Sequence, residues 1–550
     1  FNKTNLKHLV LSNNFIEKVH DDAFCTLENS LEYIDFDRNF LTKIPDAIKK
    51  LKNLHYLYLS SNAIRKVDMI LPSSLKVLSL STNEFNFIPK NIFINCTELS
   101  YLNMGYNSIN FINSTFLNCC KKLETLLLRN NKIETLNSDS FTGLNSLKEL
   151  SLSFNNIHYV HPFTFKNISK KLKILEMSFS SSNEDLKIND ILNHLTKLNI
   201  LILDNNNIKT VTNRTLMFLH EIEFIDLSFN RITFIPSDLF QSHIHTNLLE
   251  IDLSHNLIEK IYFKTFDKLD ALQTINLSSN KIGCIEQSSF RYLRYINHID
   301  LSYNRLKNLK DNAFEHLPNL KIIDFRFNAL ISFSLKIFKH VSNTSMPMSI
   351  NISNNFVNNF DGELSTYLYI YSLDVSHNQL KDTKSFKNVG YSVRIIYLNC
   401  NKIAVLNNHA FGDLPVLEIL NLSSNNISIL RKRSFQGLFN LQELDLSHNL
   451  IESLQIGHFS NLLKIRILRL NNNLIKALPR DVFLNTRLEF IDLSNNFLSN
   501  WPISSFSDVG YTIRSIHMSN NLLEYLDSKM YGNAQYLTEL NLSQNKIKVL

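Results

Sequence analysis

The most regularly placed reactive side chains are eight aspartates: Asp35, Asp226, Asp252, Asp300, Asp324, Asp374, Asp445 and Asp492. Each is the middle of an apolar-Asp-apolar triplet such as Leu444-Asp445-Leu446. Carboxylates brought into one line could hold a cation or a basic protein surface; otherwise they are solvated or pair with neighbours. Three histidines, His255, His377 and His448, each follow one of these aspartates by three residues. A zinc site needs three or four ligands converging on one point. These histidines lie in separate segments, so they read as solvated polar residues. The chain contains no H-E-x-x-H, G-x-S-x-G, G-x-x-x-x-G-K, G-x-G-x-x-G or C-x-x-C. Neither catalysis, nor a metal, nor a cofactor is expected.

What must position the aspartates is a nine-residue block, seen in Leu441-Gln-Glu-Leu444-Asp445-Leu446-Ser-His-Asn449, with aliphatic residues at places 1, 4 and 6 and Asn at place 9. The block recurs 23 times from Leu6–Asn14 to Leu537–Asn545, and only one copy, ending at Ser180, lacks the Asn. The mean period of about 24 falls in the roughly 20–29-residue range of leucine-rich repeats. Places 4 and 6 alternate on a short strand and point to one side, while the place-5 aspartates point to the other. One such strand cannot bury its apolar side alone, so copies must stack in parallel around a shared core. The place-9 amide can satisfy backbone groups of its own repeat and the next. Ser180 fills only part of that role, so its repeat should be locally looser. The expected fold is an α/β solenoid, a leucine-rich-repeat horseshoe or arc. It should have a parallel sheet on the concave face and mostly loops and short helical turns on the convex face. With strands about 4.8 Å apart, 23 of them span roughly 110 Å.

A second register supports the first. Ten residues past place 9 lie Phe24, Phe93, Phe141, Phe165, Phe240, Phe266, Phe290, Phe314, Phe338, Phe411, Phe435, Phe459, Phe483 and Phe506. A Phe column at constant phase reads as a packed convex spine. Cys96 and Cys119 each fall three residues after a Phe (Phe93 and Phe116), so they would stack in adjacent repeats. They read either as two small buried hydrophobes or as a disulfide. Asn-x-Ser/Thr triplets, candidate glycosylation sites, begin at Asn2, Asn95, Asn113, Asn167, Asn213, Asn276, Asn343, Asn351, Asn421, Asn426 and Asn541. Eleven is about what 73 asparagines supply by composition, so the count says nothing about compartment. Asn276, Asn351, Asn421 and Asn541 hold place 5, where a glycan would stand on the concave face.

With 550 residues but only 10 Gly and 10 Pro, there is no room for a flexible linker, and residues 1–550 read as one continuous array. The net charge of +7 is scattered in short runs outside the strand blocks, such as Arg431-Lys432-Arg433, which argues against nucleic acid as a partner. No apolar run approaches the length of a membrane span, and neither a membrane span nor a signal peptide is expected within residues 1–550. The chain opens inside a repeat and stops soon after Asn545, with no capping module at either end, as expected of a piece of a longer array. The pattern weakens at 157–206, where Phe179-Ser-Ser-Ser-Ser-Asn interrupts it. It weakens again at 340–392, where Met346-Pro-Met-Ser-Ile350 has lost the first aliphatic place. A kink or irregular convex loops are expected there, within an unbroken sheet.

The uncapped run of x-Ile-Asp-Leu-Ser-x-Asn blocks resembles the chaoptin-like insect photoreceptor cell-adhesion proteins. So do the joints Asn388-Val-Gly-Tyr-Ser-Val-Arg394 and Asp508-Val-Gly-Tyr-Thr-Ile-Arg514, five repeats apart. That resemblance spans essentially the whole chain. It implies an extracellular glycoprotein on the outer face of the plasma membrane, held by a lipid anchor outside this chain, with a second copy on an apposed membrane as its partner. The alternative is a Toll-like or other leucine-rich-repeat receptor ectodomain that binds a protein ligand. No ligand-binding residue carries over from either.

Overall fold

The computed structural model describes residues 4–549 apart from 68, 90–91, 113–118, 181–186, 312, 339–340, 342–346, 364–367, 413 and 527–533. Its chain forms two compact units, Phe1–Ile258 with Lys264–Asn276, and Glu259–Phe263 with Leu277–Leu550. Each is a solenoid of stacked parallel strands.

In both units the strand covers places 3–5, extended only at Met348–Asn351 and Ile370–Asp374 among the described residues, and neighbours pair at equal places. In the first unit Leu126 faces Leu150 and Ile225 faces Ile251. In the second Leu420 faces Leu444, which faces Leu468. The alternation explains which side is buried: Leu444 and Leu446 are fully buried, while Asp445 between them is only half-buried. Equal-place pairing puts like residues in columns, so each repeat buries its apolar places against the same places of its neighbours.

The asparagine ladder holds the columns in register. Asn449 Nδ2 shares its two hydrogens among the carbonyls of Leu446 (3.1 Å) and Ser447 (3.1 Å) of its own repeat and Leu422 (3.0 Å) of the preceding one. Its Oδ1 accepts the Ile427 amide of that preceding repeat at 2.9 Å. The same set recurs at Asn131, Asn230, Asn378 and Asn473. The inter-repeat bonds therefore run backward, to the repeat before, rather than to the one after as expected. At Ser180 other groups take over part of the missing amide's bonding. The serine is fully buried, its Oγ donates to Leu152 O at 3.1 Å, and its own carbonyl accepts the Ile157 amide at 2.5 Å in place of the missing Asn oxygen.

On the side opposite the strands the phenylalanine column stacks, as in Phe141–Phe165 (5.7 Å), Phe290–Phe314 (5.3 Å) and Phe435–Phe459 (5.9 Å). That side is mostly turns, with short helices such as Ile188–Leu192 and Asp46–Lys50. It also carries two-strand parallel ladders that the sequence reading omitted, such as Thr135–Leu136 with Tyr159–Val160.

In the second unit the weak stretch keeps its sheet: Ile323, Ile350, Leu373 and Ile396 pair in succession. The first aliphatic place is not lost. A one-residue shift between Met348 and Ser349 lets the buried Met348 pair with Ile370. Phe360 and Phe386, at other offsets, continue the spine with rings 4.7 Å apart. Gly362 lets the chain pass close to its neighbour, because a Cβ there would meet the Ser385 carbonyl.

Replacing Asn449 with Ala should cost about 1–3 kcal/mol, because buried carbonyls and the Ile427 amide lose their partner. Urea unfolding measures the loss, and faster hydrogen exchange at the Ile427 amide localises it.

Candidate functional site

The place-5 aspartates turn out to have a backbone task. Asp226 Oδ1 accepts the amide of Ser228, two residues on, at 2.8 Å. The same bond forms at Asp35, Asp252, Asp300, Asp324, Asp374, Asp445 and Asp492, all at 2.8–2.9 Å. It holds the bend where strand becomes turn. Asn103, Asn351, Asn421 and Asn541 occupy place 5 and do the same through their amide oxygens. The bond needs an oxygen acceptor rather than a negative charge, so in these repeats Asp and Asn serve alike. Among the described residues no group of three or more His, Cys, Asp and Glu is placed to hold a metal ion.

Charge at place 5 even has a cost. Asp226 faces Asp252 across the strand pair. Burial, together with Asp252 and Asp204, pushes its carboxyl above the usual range despite the bonds from Ser228. Burial likewise raises the Asp324 carboxyl, although Arg326 Nε lies 3.1 Å away.

Place 8 is the feature that sequence reasoning missed. All 23 residues there, from Asn13 to Gln544, have positive φ, between 49° and 57°. Their amides donate to the place-7 carbonyl of the next repeat, as His448 does to Asn471 at 2.9 Å. L-residues enter this left-handed region at a cost of about 1–2 kcal/mol, and bulky ones are rare in it. Yet Tyr106, Phe154, Phe179, Phe229, Tyr303 and Phe327 all hold place 8, each exposed by 41–50%. Four of them stack in pairs along the edge of the strand face. Phe154 and Phe179 are 4.8 Å apart in the first unit, as are Tyr303 and Phe327 at 4.4 Å in the second. His255 stacks on Phe229 at 4.0 Å, and His448 Nε2 lies 3.2 Å from Asn472 Nδ2. The place-8 histidines join this edge rather than one another. A signal for the backbone was present in the sequence, since seven of the 23 residues are Asn, the side chain that best tolerates positive φ.

The first unit gathers tyrosines on its strand face at places 3 and 5: Tyr33, Tyr56, Tyr58 and Tyr101. Tyr33 lies 5.4 Å from Tyr58, 6.1 Å from Tyr56 and 5.5 Å from the stacked ring of His8. Tyr56 is 40% exposed. Burial, then the nearby Asp35, Tyr58 and Asp37, raises the Tyr33 phenol. Lys7 and Glu32 form an ion pair at the patch's rim.

The glycosylation candidates separate by exposure. Asn95, Asn167, Asn213 and Asn426 are exposed. Asn276, Asn351, Asn421 and Asn541 are half-buried on the strand face, and Asn276 donates to Asp252 at 2.9 Å. Asn2, Asn113 and Asn343 lie outside the described residues. Of the two readings of Cys96 and Cys119, a disulfide or two small hydrophobes, the structure draws no bond between them, with Cys96 buried and Cys119 half-buried. Strand register explains why: Leu102 faces Leu126, which aligns Cys96 with Cys120 instead.

The family model "Leucine rich repeat" matches residues 4–64, 73–132, 111–157, 121–181, 225–282, 273–330, 295–346, 392–451 and 439–498, which together take in more than half of the chain. Mimecan of Gallus gallus is 34% identical over 113 residues, 16% of this chain and 38% of that protein. Keratocan of Gallus gallus is 33% identical over 91 residues, 16% of this chain and 26% of that one. The chain thus spans well under half the length of either relative. Among solved structures, the Drosophila Toll–Spätzle complex superposes with a TM-score of 0.67 at 19% identity, over 99% of this chain and 82% of that one. The PEPR1–AtPEP1 complex gives 0.58 at 21%, over 98% and 74%. Both share the fold.

Replacing Asp226 with Asn, in a host that does not glycosylate the Asn-Leu-Ser triplet this creates, should keep the turn bond and stabilise the protein by up to about 1 kcal/mol. The folded carboxyl titrates above its unfolded value of about 3.9, so its penalty is full above the folded pKa and vanishes at lower pH. Denaturant midpoints should therefore favour the variant at neutral pH and converge with wild type in acid.

Proposed function

The chain belongs to the leucine-rich repeat family, and we propose that it is an extracellular adhesion protein that binds a second copy of itself on an apposed membrane. The observation that carries this reading is the tyrosine cluster of Tyr33, Tyr56, Tyr58 and Tyr101 on the strand face of the first unit. Tyrosine offers a large apolar area and a polar tip while ordering few torsions, which is why it is enriched in binding hot spots. Solvated strand faces do not need four of them. Two copies meeting about a two-fold axis need a self-complementary surface. This patch combines aromatic rings with both signs of charge, Lys7 beside Glu32, Asp35 and Asp37. The resemblance to chaoptin-like proteins points the same way and implies a lipid anchor beyond this chain, on the outer face of the plasma membrane. The exposed triplets at Asn95, Asn167, Asn213 and Asn426 are the proposed glycan carriers, away from the strand face.

A second reading is a receptor ectodomain whose strand face takes a protein ligand. It draws on the Toll–Spätzle complex, in which a chain of this fold holds a protein partner. In both readings the groups at work are non-covalent recognition groups. Tyrosines supply apolar area and hydroxyl donors, and the place-8 aromatics extend that area along the edge.

Beads carrying the chain should cluster with one another and ignore bare beads. Joint replacement of Tyr33 and Tyr58 by Ala should slow clustering by about tenfold or more, since hot-spot truncations typically cost at least 2 kcal/mol. Circular dichroism of the variant should match wild type. Beads that stay dispersed would remove homophily and leave the receptor reading.

A further inference from the structure

We infer that Cys96 and Cys120 are a disulfide-forming pair that links two consecutive repeats of the first unit through its core. Three observations of geometry meet here. First, the pairing of Leu102 with Leu126 fixes an offset of 24 residues between these repeats, and Cys96 and Cys120 stand six residues before those leucines. Second, both occupy the same turn: the Cys96 carbonyl accepts the Leu99 amide, and the Cys120 carbonyl accepts the Leu123 amide. Third, both are fully buried. The corresponding place in other repeats holds Leu144, Leu219, Leu269 or Leu438, so these thiols sit in a core column that leucine fills elsewhere.

The spacing suits a disulfide. Neighbouring strands run about 4.8 Å apart. On the opposite side, three residues before this column, Phe141 and Phe165 stack at 5.7 Å. A disulfide needs Cα atoms about 4.4–6.8 Å apart. Cys119, by contrast, is only half-buried and out of register, so the inferred bond leaves it a thiol. The three sulfurs are close enough to influence one another: burial first, then the neighbouring cysteines, pushes Cys96 and Cys120 up to about 12.

Closure removes one proton and one electron from each thiol and passes them to a small-molecule disulfide. With oxidised glutathione, the protein gains one S–S bond and two glutathione thiols are released. Exchange needs a thiolate with access to the oxidant. Burial denies both in the folded chain, so the bond forms while the chain folds.

The test is to secrete the chain from a eukaryotic cell, denature it in iodoacetamide without reductant, and map its peptides. The expected result is four alkylated cysteines, a mass lower by two hydrogens, and a linked pair of peptides carrying Cys96 and Cys120. Cys119→Ser should keep the deficit and Cys120→Ala should lose it. Folded, reduced protein given oxidised glutathione should close at least tenfold more slowly than protein refolded in it. Six alkylated cysteines in the secreted chain, or a bond mapped to Cys119, would overturn the assignment. Mapping the unaltered protein decides the matter even if Cys120→Ala is not secreted.

Discussion

The fold depends on one side chain placed once per repeat. A strand of three residues makes too few backbone bonds to hold itself, and the turn that follows it leaves carbonyls facing a dry interior. The place-9 asparagine meets three such carbonyls and one amide, as Asn449 does across two repeats. A buried polar network is favourable only when all its members are satisfied. The repeat that lacks the amide shows how strict the requirement is, since there the Ser180 carbonyl itself turns to take the Ile157 amide.

Bringing the asparagine inward fixes its neighbours. The backbone must turn sharply, place 8 is driven to positive φ in all 23 repeats, and where place 5 is Asp or Asn, as at Asp445, its oxygen caps the bend. Selection for stability alone would fill place 8 with Asn or Gly. Phenylalanine and tyrosine in that strained position leave 41–50% of their surface exposed, as residues kept for recognition often do. The tyrosine cluster of the first unit has the same character. On the proposed reading, recognition uses side chains that the repeat leaves free to vary, on top of places that the repeat dictates.

Much of this was legible in the sequence, because leucine columns, the asparagine ladder and the phenylalanine spine each keep a constant phase. What was not legible depends on backbone direction or on local slips of register. Asp226 reads as a carboxylate on an open face until the Ser228 amide is seen to point at it. Met348 looks absent from the core because a one-residue shift moves it there. Cys119 looks like the partner of Cys96 when counted from Phe116, whereas strand pairing counts from Leu126 and arrives at Cys120. Chain order shows which residues repeat; only the register shows which of them touch.

The claim that the tyrosine-bearing strand face is where the chain meets its partner is tested most directly by hydroxyl-radical footprinting of clustered against dispersed beads. Tyr33, Tyr56 and Tyr58 should be protected on clustering, while Tyr391 and Tyr511, exposed by 75% and 58% in the second unit, should be modified equally in both. Protection at Tyr391 or Tyr511 with none at the other three would place recognition elsewhere and contradict the account.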